Sequence, residues 1–325
     1  YRRRLISYDN IKYIKQKEKQ DKAKDILIAN ILKSNIKVIS MSIILISIAM
    51  FLMIYQYQKG LRISCLSIGQ GDSFVLRNDD KKVYTIDGGS TSNTSNGEYI
   101  LAPNLKANQV SVIEKAYISH IDADHVNAIQ YVISRDEDIK VKEVVLPIVA
   151  KDNKKYNEFV RLCEKNNVKV TYLKRGDVDE INKDMCFYCV SPSDKVSVLN
   201  NDVNQSSMCI KLYYKDNTML FTGDMGKEME SEILKDKVVS QNLQSDILKI
   251  AHHGSRTASS KKFIEKVNPK YAILSYGYKN SYNHPHKETM NTLRATKDLK
   301  IYNTVDSGEI DIYMDKNIKI REYLR

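Results

Sequence analysis

Between Val38 and Gln58 the chain has no charged side chain: V-I-S-M-S-I-I-L-I-S-I-A-M-F-L-M-I-Y-Q-Y-Q. As a helix, a run of this kind matches the hydrocarbon core of a bilayer, which takes about 20 apolar residues to cross. It has no polar face to turn toward water, which argues against a helix on the surface of a soluble core. The 37 residues before it are too many for the short basic region of a signal peptide. The sequence therefore predicts three parts: a basic segment 1–37, a transmembrane helix 38–58, and a folded domain 60–325.

Charge orients the span. Residues 1–58 hold 11 Lys/Arg against 4 Asp/Glu, a balance of +7 out of a total of +11. The positive-inside rule then puts Tyr1–Lys37 in the cytoplasm and everything after Lys59 outside it. The basic stretch is expected to be a solvated helical arm near anionic lipid. A chain opening at Tyr1 with such a lead-in is the pattern of a last cytoplasmic loop and final helix of a polytopic membrane protein. At 42% apolar and 28% charged, the whole is a folded chain and not a disordered one. Its positive charge favours anionic partners such as nucleic acid, teichoic acid or lipid headgroups. Five cysteines are an odd number and too few for a disulfide scaffold. Cys186 and Cys189, three apart on a strand-like run, face opposite ways and are expected as free thiols.

The domain alternates short β-like runs with helical ones. Strands are expected at Leu61–Ile68, Ser73–Leu76, Val83–Ile86, Ala116–Ser119, Val141–Leu146, Val168–Leu173, Ile247–Ala251, Tyr271–Ser275 and Ile310–Met314. A hairpin is expected from Met208–Tyr214 and Thr218–Thr222 across Lys215–Asn217. Helices are expected over Glu98–Ala107, from Val126, and at Asn153–Asn166, Lys227–Leu234 and Lys261–Val267. This mixture predicts layered α and β elements.

The histidines point to the chemistry. All six (120, 125, 252, 253, 284 and 286) fall in three tight clusters. Histidine grouped with aspartate is the ligand set of a metal site. His120-Ile121-Asp122-Ala123-Asp124-His125 follows a strand and precedes a helix, so four ligands meet on one loop; helix capping accounts for one aspartate, not for two with two histidines. Gly223-Asp224 ends an apolar strand, as do His252-His253-Gly254-Ser255. His284-Pro285-His286 forms a fourth element.

In this order, with Asp87-Gly88-Gly89 upstream, these motifs resemble a metallo-β-lactamase-fold hydrolase. They are most similar to the β-lactamase-like domain of the ComEC family of DNA-uptake channels. Gly69-Gln70-Gly71-Asp72, Asn204-Gln205-Ser206-Ser207 and the H-P-H loop match further elements of that family, over about residues 60–315. Two departures stand out. Ser67 replaces an aspartate in Leu66-Ser67-Ile68, and Asn127 and Ala128 stand where two glycines commonly follow the His-Asp motif.

The resemblance implies an αββα sandwich placed after one membrane helix and a divalent metal, manganese or zinc. The two-metal form of this fold uses H-x-H-x-D-H and a further histidine, whereas here the second histidine is Asp122. One site is thus expected to be firm, held by Asp124, His125, Asp224 and one of His252 and His253. The other would have His120 and Asp122, with Asp224 bridging. A metal there would activate water and stabilise charge on a phosphoryl oxygen. Asp122 or Asp124 would orient the water, and His284 or His286 would protonate the leaving oxygen or bind phosphate. Ser255, Arg256 and Thr257 would bind phosphate or cap a helix. Asp87 is expected behind the ligands or in a structural turn, and Asp72 is expected to fix the G-Q-G-D turn. The expected substrate is a DNA phosphodiester, single- or double-stranded. The alternatives are another phosphoester, such as cell-wall choline phosphate, and a non-catalytic DNA-guiding module.

Overall fold

Side-chain alternation along the first strands sets up the layers. In the computed structural model, which describes residues 8–55, 60–194 and 203–324, three antiparallel strands open the second of two compact units, Gly60–Arg325. They are β1 (Leu61–Cys65), β2 (Ser73–Arg77) and β3 (Val83–Gly88). Leu61, Ile63, Phe74, Leu76, Tyr84 and Ile86 point to one side, Val75 and Val83 to the other. A sheet that is apolar on both faces has to be covered on both.

β4 (Val112–Tyr117), β5 (Lys140–Pro147) and β6 (Lys169–Leu173) extend this sheet in parallel from β3. The chain then builds a second sheet. β7 (Val178–Asn182), β8 (Met185–Ser191), β9 (Cys209–Tyr214) and β10 (Asn217–Phe221) pair antiparallel, and β11 (Ile247–Lys249), β12 (Tyr271–Leu274) and β13 (Lys300–Asn303) add on in parallel. Finally β14 (Ile310–Met314) and β15 (Ile318–Glu322) return to the first sheet beside β1. The orders are β15-β14-β1-β2-β3-β4-β5-β6 and β13-β12-β11-β10-β9-β8-β7.

One core lies between the sheets, where Phe74 meets Phe221 edge-on at 5.1 Å and Tyr117 meets Phe187 at 4.5 Å. A second packs helices Ala102–Ala107, Ala123–Arg135 and Asn157–Lys165 on the outer face of the first sheet. A third packs Lys227–Lys235, Lys261–Val267 and Lys287–Arg294 on the second sheet. The result is the expected αββα sandwich. Parallel strands β3 and β4 in one sheet, and β10, β11 and β12 in the other, end in the loops that carry the histidines and aspartates. The carboxyl ends of such strands are where open α/β sheets bind ligands.

Some boundaries differ from expectation. The Asn153–Asn166 helix begins as a 3₁₀ turn, because the Asn153 side chain accepts from the Lys155 N–H, and the α-helix starts at Asn157. Glu98–Ala107 opens with a wide π-turn, Gly97–Leu101, before an α-helix with Pro103 in its first turn. In the other unit, residues 1–59, the described residues form one α-helix, Tyr8–Tyr55, so the described parts of the basic stretch and of the apolar run share one helix. Its apolar side chains from Ile26 to Phe51 are exposed, and it is long and apolar enough to cross a membrane, its most apolar 18-residue stretch having mean hydropathy 1.8. Residues 1–7 of the expected basic segment and the Gln56–Gln58 end of the expected span lie outside the described residues.

Candidate metal centre

Close backbone approach brings the loops together. The Asp72 N–H donates to the Asp124 carbonyl at 3.0 Å, and the Gly89 N–H donates to the Asp72 carbonyl at 3.0 Å. A Cβ on Gly71 would stand 2.6 Å from the Asp124 carbonyl oxygen, so the G-Q-G-D turn and the His-Asp loop need a glycine there. Gly223 sits at φ +51, with Ser119 2.7 Å from where its Cβ would be. Its carbonyl accepts from the His252 N–H at 3.1 Å, joining the β10 and β11 loops.

At the meeting point, His125 Nε2 lies 3.2 Å from Asp224 Oδ1. His253 Nε2 lies 3.5 Å from Asp224 Oδ2 and 3.6 Å from Asp124 Oδ2. Asp72 completes a buried group whose potential ligand atoms, with those of His125, Asp224 and His253, all fall within 4.8 Å of one another. His120, His125 and His253 each leave a buried Nε2 without a hydrogen-bond partner, as does Asp224 Oδ1. The orphaned Nε2 atoms of His125 and His253 both face the Asp224 carboxylate, at 3.2 and 3.5 Å, and this fits a divalent cation, since buried polar groups are otherwise satisfied.

Of the paired histidines, His253 is the buried one, its Nδ1 2.9 Å from the Ser275 carbonyl, which leaves Nε2 for the centre. His252 is half-buried, 3.6 Å from the same Asp224. His120 lies against His125, ring centroids 4.1 Å apart, with its Nδ1 facing Ser119 Oγ at 3.1 Å and Ser207 Oγ at 3.4 Å. Ser207, from the Asn-x-x-Ser element, also accepts from the Asp224 N–H at 3.3 Å. Asp122 reaches His120 Nε2 at 3.7 Å with its side chain half in solvent.

Asp87 sits behind the candidate ligand His125. Its carboxylate accepts from the Ser119 N–H at 2.7 Å and the Ser119 hydroxyl at 2.8 Å, and it meets His125 Nδ1 at 2.9 Å. Two other residues had no assigned part in the centre. Lys249 is fully buried, its ammonium paired with Asp72, 3.8 Å from Asp224 Oδ1 and donating to the Gly223 carbonyl at 3.1 Å. Asp72 is thus more than a turn residue, and its charge is taken up by Lys249. The sequence signal was a lone lysine inside the apolar strand run Ile247–Ala251.

The remaining candidates line the rim. His284 is buried with Nδ1 3.3 Å from Gln70 Nε2. Gln70 Oε1 accepts from the Gly277 N–H, so its amide is oriented to donate, and His284 keeps its own proton on Nε2. His286 Nδ1 accepts from the Arg256 N–H at 3.1 Å. Ser255 is buried and its hydroxyl pairs with Thr257, while Arg256 is exposed. None of the three caps the next helix, whose N-cap is Ser260. Asn127 uses its larger side chain as a strap, accepting from the Ser90 N–H and donating to the Ser90 carbonyl.

Electrostatics follow from this packing. Burial pushes His125 down, but Asp224 and Asp87 outweigh it and hold the ring well above its ordinary 6.5. Burial is likewise outweighed at His253 by Asp224 and Asp72, which raise it. Asp224 is held well below its ordinary value by His253 and His125 against burial. Against burial, the His253 hydrogen bond holds Asp124 at about 2. Burial and His125 drop His120 to about 3. Burial and His253 drop His284 to about 4. Burial and Asp124 raise Asp122.

Comparison with known proteins agrees with this architecture. The model of the Metallo-beta-lactamase superfamily matches residues 66–278. ComE operon protein 3 of Bacillus subtilis (strain 168) is 30% identical over 268 residues, covering 78% of this chain and 33% of the relative. Competence protein ComA of Neisseria gonorrhoeae is 27% identical, covering 74% of this chain and 30% of the relative. The chain therefore spans about a third of the length of the curated relatives it matches. Among solved structures, CmlA, a diiron β-hydroxylase from Streptomyces venezuelae, superposes with TM-score 0.51 at 10% identity, over 79% of this chain and 55% of that one.

Proposed function

This chain belongs to the metallo-beta-lactamase superfamily, and from that premise we propose that residues 60–325 are a metal-dependent phosphodiesterase that cuts DNA outside the cytoplasmic membrane, as the hydrolase unit of a DNA-uptake protein. The observation that carries the proposal is the convergence of Asp124, His125, Asp224 and His253 on one buried point. The excess of basic residues before the apolar helix supports the outward orientation. Sequence likeness to competence proteins supports DNA as the partner.

A divalent metal held there, manganese or zinc, supplies Lewis-acid activation of water and of the phosphoryl oxygen. The chain's own residues do the rest. Asp124 stays ionised at any physiological pH and holds its place against His253. Asp122, half in solvent with a raised pKa, is the carboxylate suited to taking and passing a proton. His284 is neutral above about pH 4, so it serves as an Nε2–H donor to a phosphate oxygen and not as the acid for the leaving group. Arg256, exposed on the rim, offers a second contact to phosphate.

The test uses the full chain in detergent micelles, stripped of metal, with labelled single- and double-stranded DNA and manganese, zinc or no metal. Metal-dependent cleavage that is lost in Asp224→Ala supports the assignment. A folded, metal-loaded protein that cuts neither strand form under any condition overturns it.

A further inference from the structure

The loop from Gly277 to His284 is anchored at both ends and carries two exposed aromatic rings. The Asn280 side chain donates to the carbonyls of Gly277 (2.9 Å) and His284 (2.7 Å) and accepts from the His284 N–H at 2.9 Å. Gln70 reaches both ends of the same loop, through Gly277 and the His284 ring. Despite this anchoring, Tyr278 is 74% exposed and Tyr282 50% exposed.

The rings form a row leading outward from the centre. His252 lies 3.6 Å from Asp224. His284 follows 5.6 Å from His252, and Tyr282 stacks on His284 at 5.6 Å with the planes 20° apart. Lys279 lies 5.2 Å over the ring of Tyr278. A fixed loop thus presents two exposed aromatic rings, Tyr282 reached from His252 through the His284 ring and Tyr278 beside a cation.

We propose that Tyr282 and Tyr278 form a stacking platform for unpaired nucleobases, so that the substrate of this centre is a single strand whose bases are splayed outward beside the scissile phosphate. The proposal rests on the phosphodiesterase reading and narrows it. Aromatic faces accept any base but only once the base has left its duplex stack, and such stacking carries a large part of sequence-independent single-strand binding. Lys279, beside Tyr278, suits the accompanying phosphates.

The test is fluorescence anisotropy with the full chain in micelles, metal withheld by chelation so that nothing is cut. The probes are a labelled dT 12-mer, an abasic 12-mer of equal charge, and a dT·dA duplex. Wild type is expected to bind the dT strand about tenfold more tightly than the abasic strand. Tyr282→Leu is expected to lose that preference while keeping the abasic affinity, Tyr278→Leu to reduce it, and Tyr282→Phe to retain it. Thermal melting of each variant checks the fold. Equal affinity of wild type for dT and abasic strands, no binding of either, a preference surviving in Tyr282→Leu, or tighter binding of the duplex would each overturn the platform. Cleavage with metal restored is scored separately. A protein that cuts DNA but ignores bases loses only the platform, and one that prefers bases but never cuts loses only the phosphodiesterase reading.

Discussion

Asp87→Asn changes one atom and should weaken metal binding at a residue that holds no metal itself. Asp87 is an acceptor-only group toward three donors: the Ser119 N–H at 2.7 Å, the Ser119 hydroxyl at 2.8 Å and His125 Nδ1 at 2.9 Å. It therefore keeps the His125 proton on Nδ1 and leaves the Nε2 lone pair pointing at the centre, beside Asp224. With asparagine, the side-chain oxygen keeps the bond from the Ser119 N–H, and the amide nitrogen must face His125. The imidazole then accepts at Nδ1 and carries its proton on Nε2, where the metal has to bind. Losing such an orienting partner typically costs about 10–100-fold in metal affinity, or about 1.4–2.7 kcal/mol. The assay is competition with a chromophoric chelator for manganese and for zinc, run near pH 8 to limit competition from protons. An affinity within twofold of wild type, with unchanged stoichiometry and melting temperature, would refute the tautomer argument.

Further outcomes follow from the same geometry. Removing the buried ammonium with Lys249→Met strands the Asp72 carboxylate and should cost about 3–5 kcal/mol in denaturant unfolding, with much of the loss recovered in Lys249→Met/Asp72→Asn; a single variant as stable as wild type would deny the pair its role. Gly71→Ala drives a methyl group into backbone on two loops and should cost about 1–3 kcal/mol and weaken metal binding, so a wild-type melt would contradict the close approach. His125 and His253 both titrate above 6.5 in the metal-free protein, so at pH 6.5 each is mostly protonated and must lose its proton to bind metal. Loading one metal at that pH should release between about one and two protons, and affinity should fall as pH drops below these pKa values. Calorimetry in two buffers of different ionisation enthalpy measures the release, and none at all would reverse the assigned charges.

Much of the centre was legible because its candidate ligands cluster along the chain. Four of them share the loop 120–125, and the Gly-Asp and His-His pairs each end an apolar strand, a place where β-strands put functional side chains. What stayed hidden depends on contacts between loops far apart in sequence. Asp72 read as a turn residue because nothing near it in sequence reveals Lys249, which approaches from the other sheet. Which of His252 and His253 is the buried one was not legible, since adjacent residues share the same local sequence. Asn127 read as a departure from glycine, and its use as a strap on Ser90 appears only once that loop is in place. Strand identity survived better than boundaries because alternation marks a strand's middle. Its ends are decided by local competitors such as the Asn153 side chain, which turned the start of an expected α-helix into 3₁₀.

The ligand loops come from both sheets, His125 following β4 and His253 following β11, with the Phe74–Phe221 contact bridging the core below. A cation bound there is a rivet through the two halves of the sandwich, so occupancy and interior packing belong to a single equilibrium. Metal at 100 times its Kd would add about 2.7 kcal/mol to the folded state. By reciprocity, a cavity cut at Phe221, three residues before Asp224 in the chain, would lower the apparent metal affinity to the extent that it populates the unfolded state. Chelators would in turn act on this protein as mild denaturants, and selection on the buried phenylalanines would be hard to separate from selection on the aspartates.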